Sequence, residues 1–229
     1  MHGAVGPQWR AILAVAIILA VGAVVLPAHA DDPDPVVNFS ERNVLLGTPV
    51  TISGALVNGA ADAGRPVQLY ERRAPFPGTG TVLQEGVAAA DGSYAFSVVP
   101  PRKAYFSVVS PATATAVRQA SPGFLVAVRR KVSIKVSDRT PHKNQLVRFS
   151  GFISPSYPLG PASVATLQRR DSTGAFANVK AVLLKAAGDY TSYRARVHVS
   201  RPGAYRVYVP ASTFLSSGAS VAIVVRVHR

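Results

Sequence analysis

Apolar and polar residues alternate along much of this chain after its first thirty residues. In the stretch 193–199, YRARVHV, the apolar residues would face one side of an extended backbone and Arg194, Arg196 and His198 the other, because successive side chains of a strand point to opposite faces. A Pro-Gly turn follows, and the alternation resumes over 203–209. No later segment combines a helical apolar period with capping residues. The pattern therefore predicts an all-β protein.

Short alternating or β-branched runs, separated by clusters of Gly, Pro, Asn, Asp and Ser, predict many strands. In the second half of the chain the predicted strands cover 131–137, 146–153, 163–170, 178–185, 190–199, 203–209 and 220–228. Seven strands in about 100 residues are typical of a β-sandwich. With the strands lettered A to G in chain order, A, B, E and D are expected in one sheet and C, F and G in the other.

The chain contains two copies of one unit. Residues 50–73, VTISGALVNGAADAGRPVQLYERR, align without gaps to residues 147–170, VRFSGFISPSYPLGPASVATLQRR. Both segments have Ser-Gly near the start and Arg-Arg at the end, and similar pairs of segments follow in the same order. We therefore predict one sandwich at 36–130 and a second at 131–229, after an acidic, proline-containing and flexible leader at 31–35. Only RRKV at 129–132 joins the two copies, so we expect a stiff tandem.

Three groups of residues carry a resemblance to a known family: 50–54 with 67–73, the turn at 91–92 followed by 93–96, and the strand entry at 202–205. They resemble the bacterial immunoglobulin-like and carboxypeptidase-regulatory-like β-sandwich repeats of secreted proteins. The resemblance implies two tandem immunoglobulin-like antiparallel β-sandwiches, in an extracellular noncatalytic protein that serves as a spacer, an adhesin segment or a binding domain. The excess of Arg over Lys, 19 to 6, suggests a high-GC bacterium.

The first thirty residues predict a secretory signal peptide. A polar start ending in Arg10 precedes an apolar run over 11–26, and Ala28-His29-Ala30 supplies an A-x-A cleavage site. The apolar run is shorter than the roughly 20 residues that a membrane-spanning helix needs. We expect cleavage after Ala30, no stable membrane span afterwards, and a secreted location that is extracellular or associated with the cell envelope. An uncleaved anchor is the alternative.

The sequence offers little chemistry of its own. It has no Cys, which excludes disulfides and a thiol nucleophile, and it has no nucleophile-elbow, zinc or calcium-loop motif. Glycine-rich loops that would cradle a phosphate are absent too. We therefore expect no catalytic residue, no metal site, no cofactor and no enzymatic activity.

Charge distinguishes the two copies. Residues 36–130 carry nine Lys or Arg and five Asp or Glu, whereas residues 131–229 carry fifteen and three. This asymmetry predicts a polyanionic partner for the second copy. The candidates on its first sheet are Lys131, Lys135, Arg148, Arg194 and Arg196, and its second sheet would expose Arg206, Tyr208, Arg226 and His228. The alternative is that Arg only keeps the strands soluble and protects sheet edges.

Loop tips are a second place to look for binding. The loops at 154–162 and 210–219 would lie at one end of the second sandwich and present Tyr157, Leu159, Phe214 and Leu215. The alternative is that these residues plug the open end of a core. Two partners thus remain open: an anionic envelope polymer bound by the basic surface, or an extracellular protein bound through loop tips or strand edges by a structural spacer or accessory module. Specific nucleic-acid binding is not expected, because no aromatic stacking platform accompanies the basic residues.

The alternation also predicts core residues. Tyr94 and Phe96 in the first copy, and Tyr193 and Val197 in the second, fall on the apolar side of their strands. We expect these four side chains to pack inward.

Overall fold

The computed structural model describes residues 33–156 and 164–228. The predicted signal peptide at 1–30 and the loop-tip candidates Tyr157 and Leu159 lie outside the described residues. Within them the chain is all-β apart from one 3₁₀ turn, Gly59–Asp62. The described residues contain no helix that is long and apolar enough to cross a membrane.

The first repeat, 36–130, forms a sandwich of two sheets. One sheet has the order β1-β3-β6, where β1 is Val36–Phe39, β3 is Val50–Ala55 and β6 is Ser93–Val98. The other has the order β2-β9-β7-β4-β5, with β8 also paired to β7. Its strands are β2 Asn43–Leu45, β4 Pro66–Arg73, β5 Thr81–Val87, β7 Ala104–Ser110, β8 Gln119–Ala120 and β9 Phe124–Arg129. Of these pairings, β2 with β9 is parallel and the others are antiparallel.

The second repeat, 131–229, forms a second sandwich. Its first sheet has the order β10-β12-β16-β15, with β11 also paired to β12, and its second has the order β14-β13-β17-β18, with β19 also paired to β17. The first sheet contains β10 Lys131–Val132, β11 Lys135–Val136, β12 Gln145–Ser154, β15 Leu183–Ala187 and β16 Tyr190–Val199. The second contains β13 Thr166–Arg170, β14 Phe176–Ala181, β17 Gly203–Val209, β18 Gly218–Ala219 and β19 Ile223–Val225. This is the predicted A-B-E-D and C-F-G arrangement, with β14 added beside strand C.

One predicted strand, 178–185, is wrong as a single element. The chain runs along the second sheet as β14 and crosses to the first sheet as β15. Val182 lies between the two strands, is buried, and its amide donates a hydrogen bond to the carbonyl of Ala165. Burial of that one side chain between the sheets allows the strand to change sheets. In the first repeat the corresponding segment stays in one sheet as β5, so β6 remains an edge strand.

The gap-free alignment of the two repeats fails by one residue in strand C. Leu69 pairs with Val108 in the first repeat, and Leu167 pairs with Val207 in the second. The alignment had matched Leu167 with Tyr70, which faces the opposite side of its strand. A loop absorbs the extra residue, because a one-residue shift within a strand would turn its apolar side chains to solvent.

Each repeat has its own buried core. Tyr94, Phe96 and Tyr193 are buried, as predicted, with 6%, 7% and 3% of their surfaces exposed. Val197 is only half-buried, and Ala195 occupies the position that corresponds to Phe96.

The two cores place their large side chain on opposite strands. Phe96 of β6 lies opposite Ile52 of β3, whereas Ala195 of β16 lies opposite Phe149 of β12. The second core therefore has its aromatic ring on strand B and a small residue on strand E. All four side chains are buried, so both repeats keep apolar residues at these paired inward positions although the residue types differ.

The leader was expected to be flexible, but its described end packs on the first sandwich. Pro35 is buried, and the carbonyl of Pro33 accepts a 3.3 Å hydrogen bond from the amide of Ala120. Proline donates no backbone hydrogen bond, so it suits this position at the margin of a sheet.

Candidate basic face of the second repeat

A glycine and a tyrosine fix the register of the strands that carry the candidate site. Gly151 of β12 lies opposite Tyr193 of β16, and the Tyr193 hydroxyl donates a 2.6 Å hydrogen bond to the carbonyl of Ser133. A Cβ atom on Gly151 would lie 2.3 Å from that same carbonyl oxygen, so only glycine fits. With this register fixed, the even-numbered side chains of both strands must point away from the core.

Three arginines meet on that outward surface, as predicted. Arg148 of β12 lies directly opposite Arg196 of β16, and Arg194 is two residues before Arg196 on the same face. The amide of Arg148 bonds to the Ser137 hydroxyl instead of to β16. Arg148 and Arg196 therefore form a non-hydrogen-bonded pair, the arrangement in which facing side chains come closest.

Lysines extend the same surface on both sides. Lys135 of β11 pairs with Ser150, and Lys185 of β15 pairs with Ser192, so both lie in line with the outward residues of β12 and β16. Lys131 lies opposite Ser154 at the end of the sheet, close to the Gly47 turn of the first repeat. We call Lys131, Lys135, Arg148, Lys185, Arg194 and Arg196 the basic face; all six are exposed.

Sequence reasoning placed the strand 178–185 in this sheet as strand D but did not name Lys185 among the outward cations. The signal was present, because the expected strand order already put strand D beside strand E. A further cation, Lys180, reaches toward this sheet and donates a 3.0 Å hydrogen bond from Nζ to the carbonyl of Arg196.

Negative charge is lacking on this surface. Among the outward positions of the described strands in this sheet, none is Asp or Glu. Both ion pairs found among the described residues lie in the first repeat, where Arg65 contacts Asp62 and Arg73 contacts Glu71. The cations of the basic face thus point to solvent without a neutralising carboxylate beside them.

Apolar side chains also lie among these cations, although the sequence did not indicate them as part of the site. Leu183 lies opposite Arg194 and is 79% exposed. Phe152 and Tyr190 form an edge-to-face pair with ring centroids 4.8 Å apart, and they are 47% and 41% exposed. We call Leu183, Phe152 and Tyr190 the apolar group of this face.

The second sheet was expected to expose further free cations, but two of its arginines contact neighbouring side chains. Arg206 stacks on the ring of Phe176 at 3.8 Å and donates a 2.9 Å hydrogen bond from Nε to Gln168. Arg170 covers the same ring at 4.9 Å. These guanidinium groups are engaged by the protein itself, so they are less available to a partner. Arg226 and His228 are exposed.

The loop-tip candidates Leu215 and Phe214 fill a core, which is one of the two alternatives that the sequence left open. Leu215 is 1% exposed and belongs to the core of the first repeat, and Phe214 packs against the same core. The amide of Lys103 donates a 2.8 Å hydrogen bond to the Phe214 carbonyl. The loop plugs a core, as the alternative reading had it, but the core is that of the neighbouring sandwich.

A single residue, Arg130, separates β9 of the first repeat from β10 of the second. It is 1% exposed and donates hydrogen bonds to the Pro210 carbonyl at 3.5 Å and to the Ser212 hydroxyl at 3.3 Å. Contacts of this kind accompany the Leu215 plug and favour the stiff tandem that the short junction predicted.

The first repeat contains a buried polar cluster. Asp62 is 1% exposed, accepts 2.7 Å and 2.8 Å hydrogen bonds from Arg65 and Gln119, and also accepts one from the Asn58 amide. Burial alone would raise the pKa of Asp62, but the hydrogen bonds from Arg65, Gln119 and Asn58 together hold that pKa well below its usual range. This carboxylate is fully occupied by the protein and has a structural role.

No metal-binding cluster of three or more His, Cys, Asp or Glu side chains occurs in the part of the chain that the structure describes. Its one close pair of histidines, His142 and His228, has ring centroids 6.4 Å apart at the end of the second repeat.

Comparison with known proteins gives a likeness of fold only. No protein-family model and no curated protein matches the chain. Among solved structures, it is similar to an ICAM-5 D1-D4 ectodomain fragment, with 12% identity, a TM-score of 0.44 and coverage of 84% of this chain and 53% of that one. It is also similar to the D0-D1 domain of intimin, with 12% identity, a TM-score of 0.32 and coverage of 83% and 97%. The chain thus spans about half the length of the ICAM-5 fragment.

The immunoglobulin-like character of the chain follows from its own strand order. The carboxypeptidase-regulatory-like resemblance and the high-GC origin remain predictions.

Proposed function

We propose that this protein is a secreted, noncatalytic tandem immunoglobulin-like protein that associates with cell-envelope or extracellular polyanions through the basic face of its second repeat. The observation that carries the proposal is the convergence of Arg148, Arg194 and Arg196 on one exposed sheet surface, with no acidic residue at the described outward strand positions of that sheet. The predicted signal peptide supports the location.

Arginine suits an anionic polymer for a structural reason. Its planar guanidinium donates two parallel hydrogen bonds to a phosphate, sulfate or carboxylate group, and it stays charged at all physiological pH values. Three arginines and the lysines beside them would bind successive charges on a polymer. Affinity of this type depends little on polymer sequence and falls as salt rises.

Solubility alone explains the arrangement less well. Two arginines directly opposite each other on neighbouring strands repel, at a cost of up to about 1 kcal/mol. If the sheet needed only to stay in solution, a carboxylate in place of Arg148 or Arg196 would replace this repulsion by attraction and would make the sheet more stable. The first repeat also does without charge at the corresponding positions, which are Thr51, Ala95 and Ser97.

The test is a triple variant, Arg148→Gln, Arg194→Gln and Arg196→Gln, with a control that removes the same charge elsewhere in the second repeat. Arg139→Gln, Arg201→Gln and Arg226→Gln serve as that control, since these side chains are exposed on other surfaces. The measurement is the salt concentration that elutes each protein from a polyphosphate resin. We expect the first triple variant to elute at much lower salt than the control, with a salt slope reduced by about 1 for each lost phosphate contact.

Equal elution of both triple variants would mean that net charge, and not this face, governs retention. Unchanged elution of the first triple variant relative to the parent would remove the proposal. Exposed charge removal should alter the free energy of unfolding by less than about 0.5 kcal/mol, so thermal melting confirms that the compared proteins are folded.

A second candidate function is an accessory module that binds an extracellular protein through a strand edge. It is favoured by β6, which pairs only with β3, whereas the equivalent strand of the second repeat is covered by β15. The backbone of Ala95 faces that open edge, although the Gln84 side chain already donates to the nearby Ser97 carbonyl. Capture of a protein partner that persists at high salt, and that Ala95→Pro abolishes, would support this function.

A further inference from the structure

We infer that the polyanion bound by the basic face is the surface of an anionic phospholipid bilayer, an inference that rests on the proposed function and names its ligand class. The basic face and the apolar group share one sheet surface, and their chemistry matches the two layers of a membrane interface. Phosphate headgroups meet cations, and the acyl boundary below them accepts aliphatic and aromatic side chains.

The exposed apolar side chains among the cations favour a bilayer over a soluble polyanion. Leu183 is 79% exposed beside Arg194, and Phe152 is 47% exposed and is separated from Lys185 by strand β16. A soluble polyphosphate or a hydrophilic wall polymer would leave both side chains in water. A bilayer surface removes them from water while the guanidinium and ammonium groups stay at headgroup level.

The layout of the surface allows several side chains to meet one extended ligand. The site lies on the outward side of a sheet and uses side chains from β11, β12, β16 and β15 in parallel rows. Side chains in neighbouring rows can contact a membrane surface together. The protein would lie on the bilayer and would not cross it.

The first repeat provides an internal contrast. Ala55 occupies the position of Phe152. Its edge strand β6 has no neighbour comparable to β15, and so no counterpart of Leu183. At the corresponding positions the three arginines and the side chains of Phe152 and Leu183 therefore occur only in the second repeat, which is expected if one ligand uses both.

The test uses the mature chain and measures its affinity for two probes: vesicles of phosphatidylglycerol and phosphatidylcholine in equal parts, and soluble polyphosphate. Leu183→Ser with Phe152→Ser should weaken vesicle binding by about tenfold or more, because it removes most of the apolar area that the bilayer would cover. The same variant should bind polyphosphate as the parent does. Val221→Ser with Val224→Ser is the matched control, since both valines are exposed elsewhere in the repeat at 77% and 59%, and it should bind vesicles normally.

The results separate the inference from the proposed function. Loss of vesicle and polyphosphate binding in the Arg148, Arg194 and Arg196 triple Gln variant, with no effect of the serine variant, would support the proposed function and overturn the bilayer. No effect of the triple Gln variant on either probe would overturn both. Equal binding of the parent to vesicles of phosphatidylcholine alone would also overturn the inference, because it requires anionic headgroups. If Phe152→Ser fails to fold, the vesicle affinity of the single variant Leu183→Ser serves as the test, because Leu183 is mostly exposed and its replacement should not affect folding.

Discussion

The two repeats build the same sheet of strands A, B and E but decorate its outer surface differently. In the first repeat Thr51, Ala95 and Ser97 occupy the outward positions that arginines hold in the second. In both, a glycine of strand B lies opposite a buried tyrosine of strand E. The difference between the repeats is therefore concentrated where the fold imposes little.

The shared frame explains why the outer surface is free to differ. The Tyr94 hydroxyl donates to the Val36 carbonyl, as the Tyr193 hydroxyl donates to that of Ser133. These bonds attach strand A to the sheet and leave no space for a side chain on the intervening glycine. Outward side chains take no part in these hydrogen bonds or in the contacts around the glycines. The positive charge of the second repeat therefore requires no change in its core.

The shared frame should be the most sensitive place in either repeat. Gly151→Ala would place a Cβ atom 2.3 Å from the Ser133 carbonyl oxygen and 2.8 Å from the Tyr193 hydroxyl. We expect a loss of about 5 kcal/mol in the second repeat, since strand A must move and a hydrogen bond is lost. Hydrogen exchange measured on peptides of each repeat should be faster in the second repeat of this variant than in the parent. Gly86→Ala is the control, because its Cβ would meet only the Phe96 ring at 3.5 Å; equal loss in both variants would contradict the model of the frame.

Acid stability should separate the repeats, because only the first has a described buried carboxylate. The unfolded chain takes up a proton on Asp62 near pH 4, whereas the folded chain, in which the pKa of Asp62 is lowered, does not. The ionised Asp62 carboxylate thus adds to the free energy of unfolding above that pH, and this stabilisation is lost as the pH falls.

Asp62→Asn should remove this pH dependence and cost about 4 kcal/mol at neutral pH, since the buried Arg65 loses its counter-ion. Urea unfolding at several pH values measures both effects. Glu41→Gln, at an exposed position, should change neither. A variant that kept the acid sensitivity of the parent would show that another carboxylate causes it.

Leu215 should stabilise a sandwich other than the one that its own strands form. Leu215→Ala should cost about 3 kcal/mol through the cavity that it leaves in the first core. The increase in hydrogen exchange should appear in peptides from β7 and β9. Leu183→Ala, the same substitution at a 79% exposed position, should have little effect. Faster exchange confined to the second repeat would contradict the plug.

The smallest expected effect on stability comes from copying the three arginines onto the first repeat, which should also copy the binding of polyphosphate. Thr51→Arg, Ala95→Arg and Ser97→Arg would copy the three arginines onto the first repeat at exposed positions. The free energy of unfolding should change by less than about 0.5 kcal/mol per site. Retention on polyphosphate resin should be regained when this triple variant is combined with the triple Gln variant of the second repeat. A folded protein that fails to regain retention would show that arginine placement on this sheet is insufficient.

Local alternation in the sequence determined much of the protein. It predicted the strands, the burial of Tyr94 and Tyr193, and the outward direction of Arg148, Arg194 and Arg196, whereas the order of the sheets was taken from the usual arrangement of such sandwiches. These features follow from the period of two residues in a strand, which is written in neighbouring residues.

Only the tertiary structure decided the remaining features. The crossing of the chain at Val182 and the burial of Leu215 in the first core each depend on residues far apart in sequence. An apolar residue in a loop looks the same in the sequence whether it awaits a ligand or fills a neighbouring core. The alternation states which side of a strand is apolar, but contacts between distant segments decide which sheet the strand joins and what covers that side.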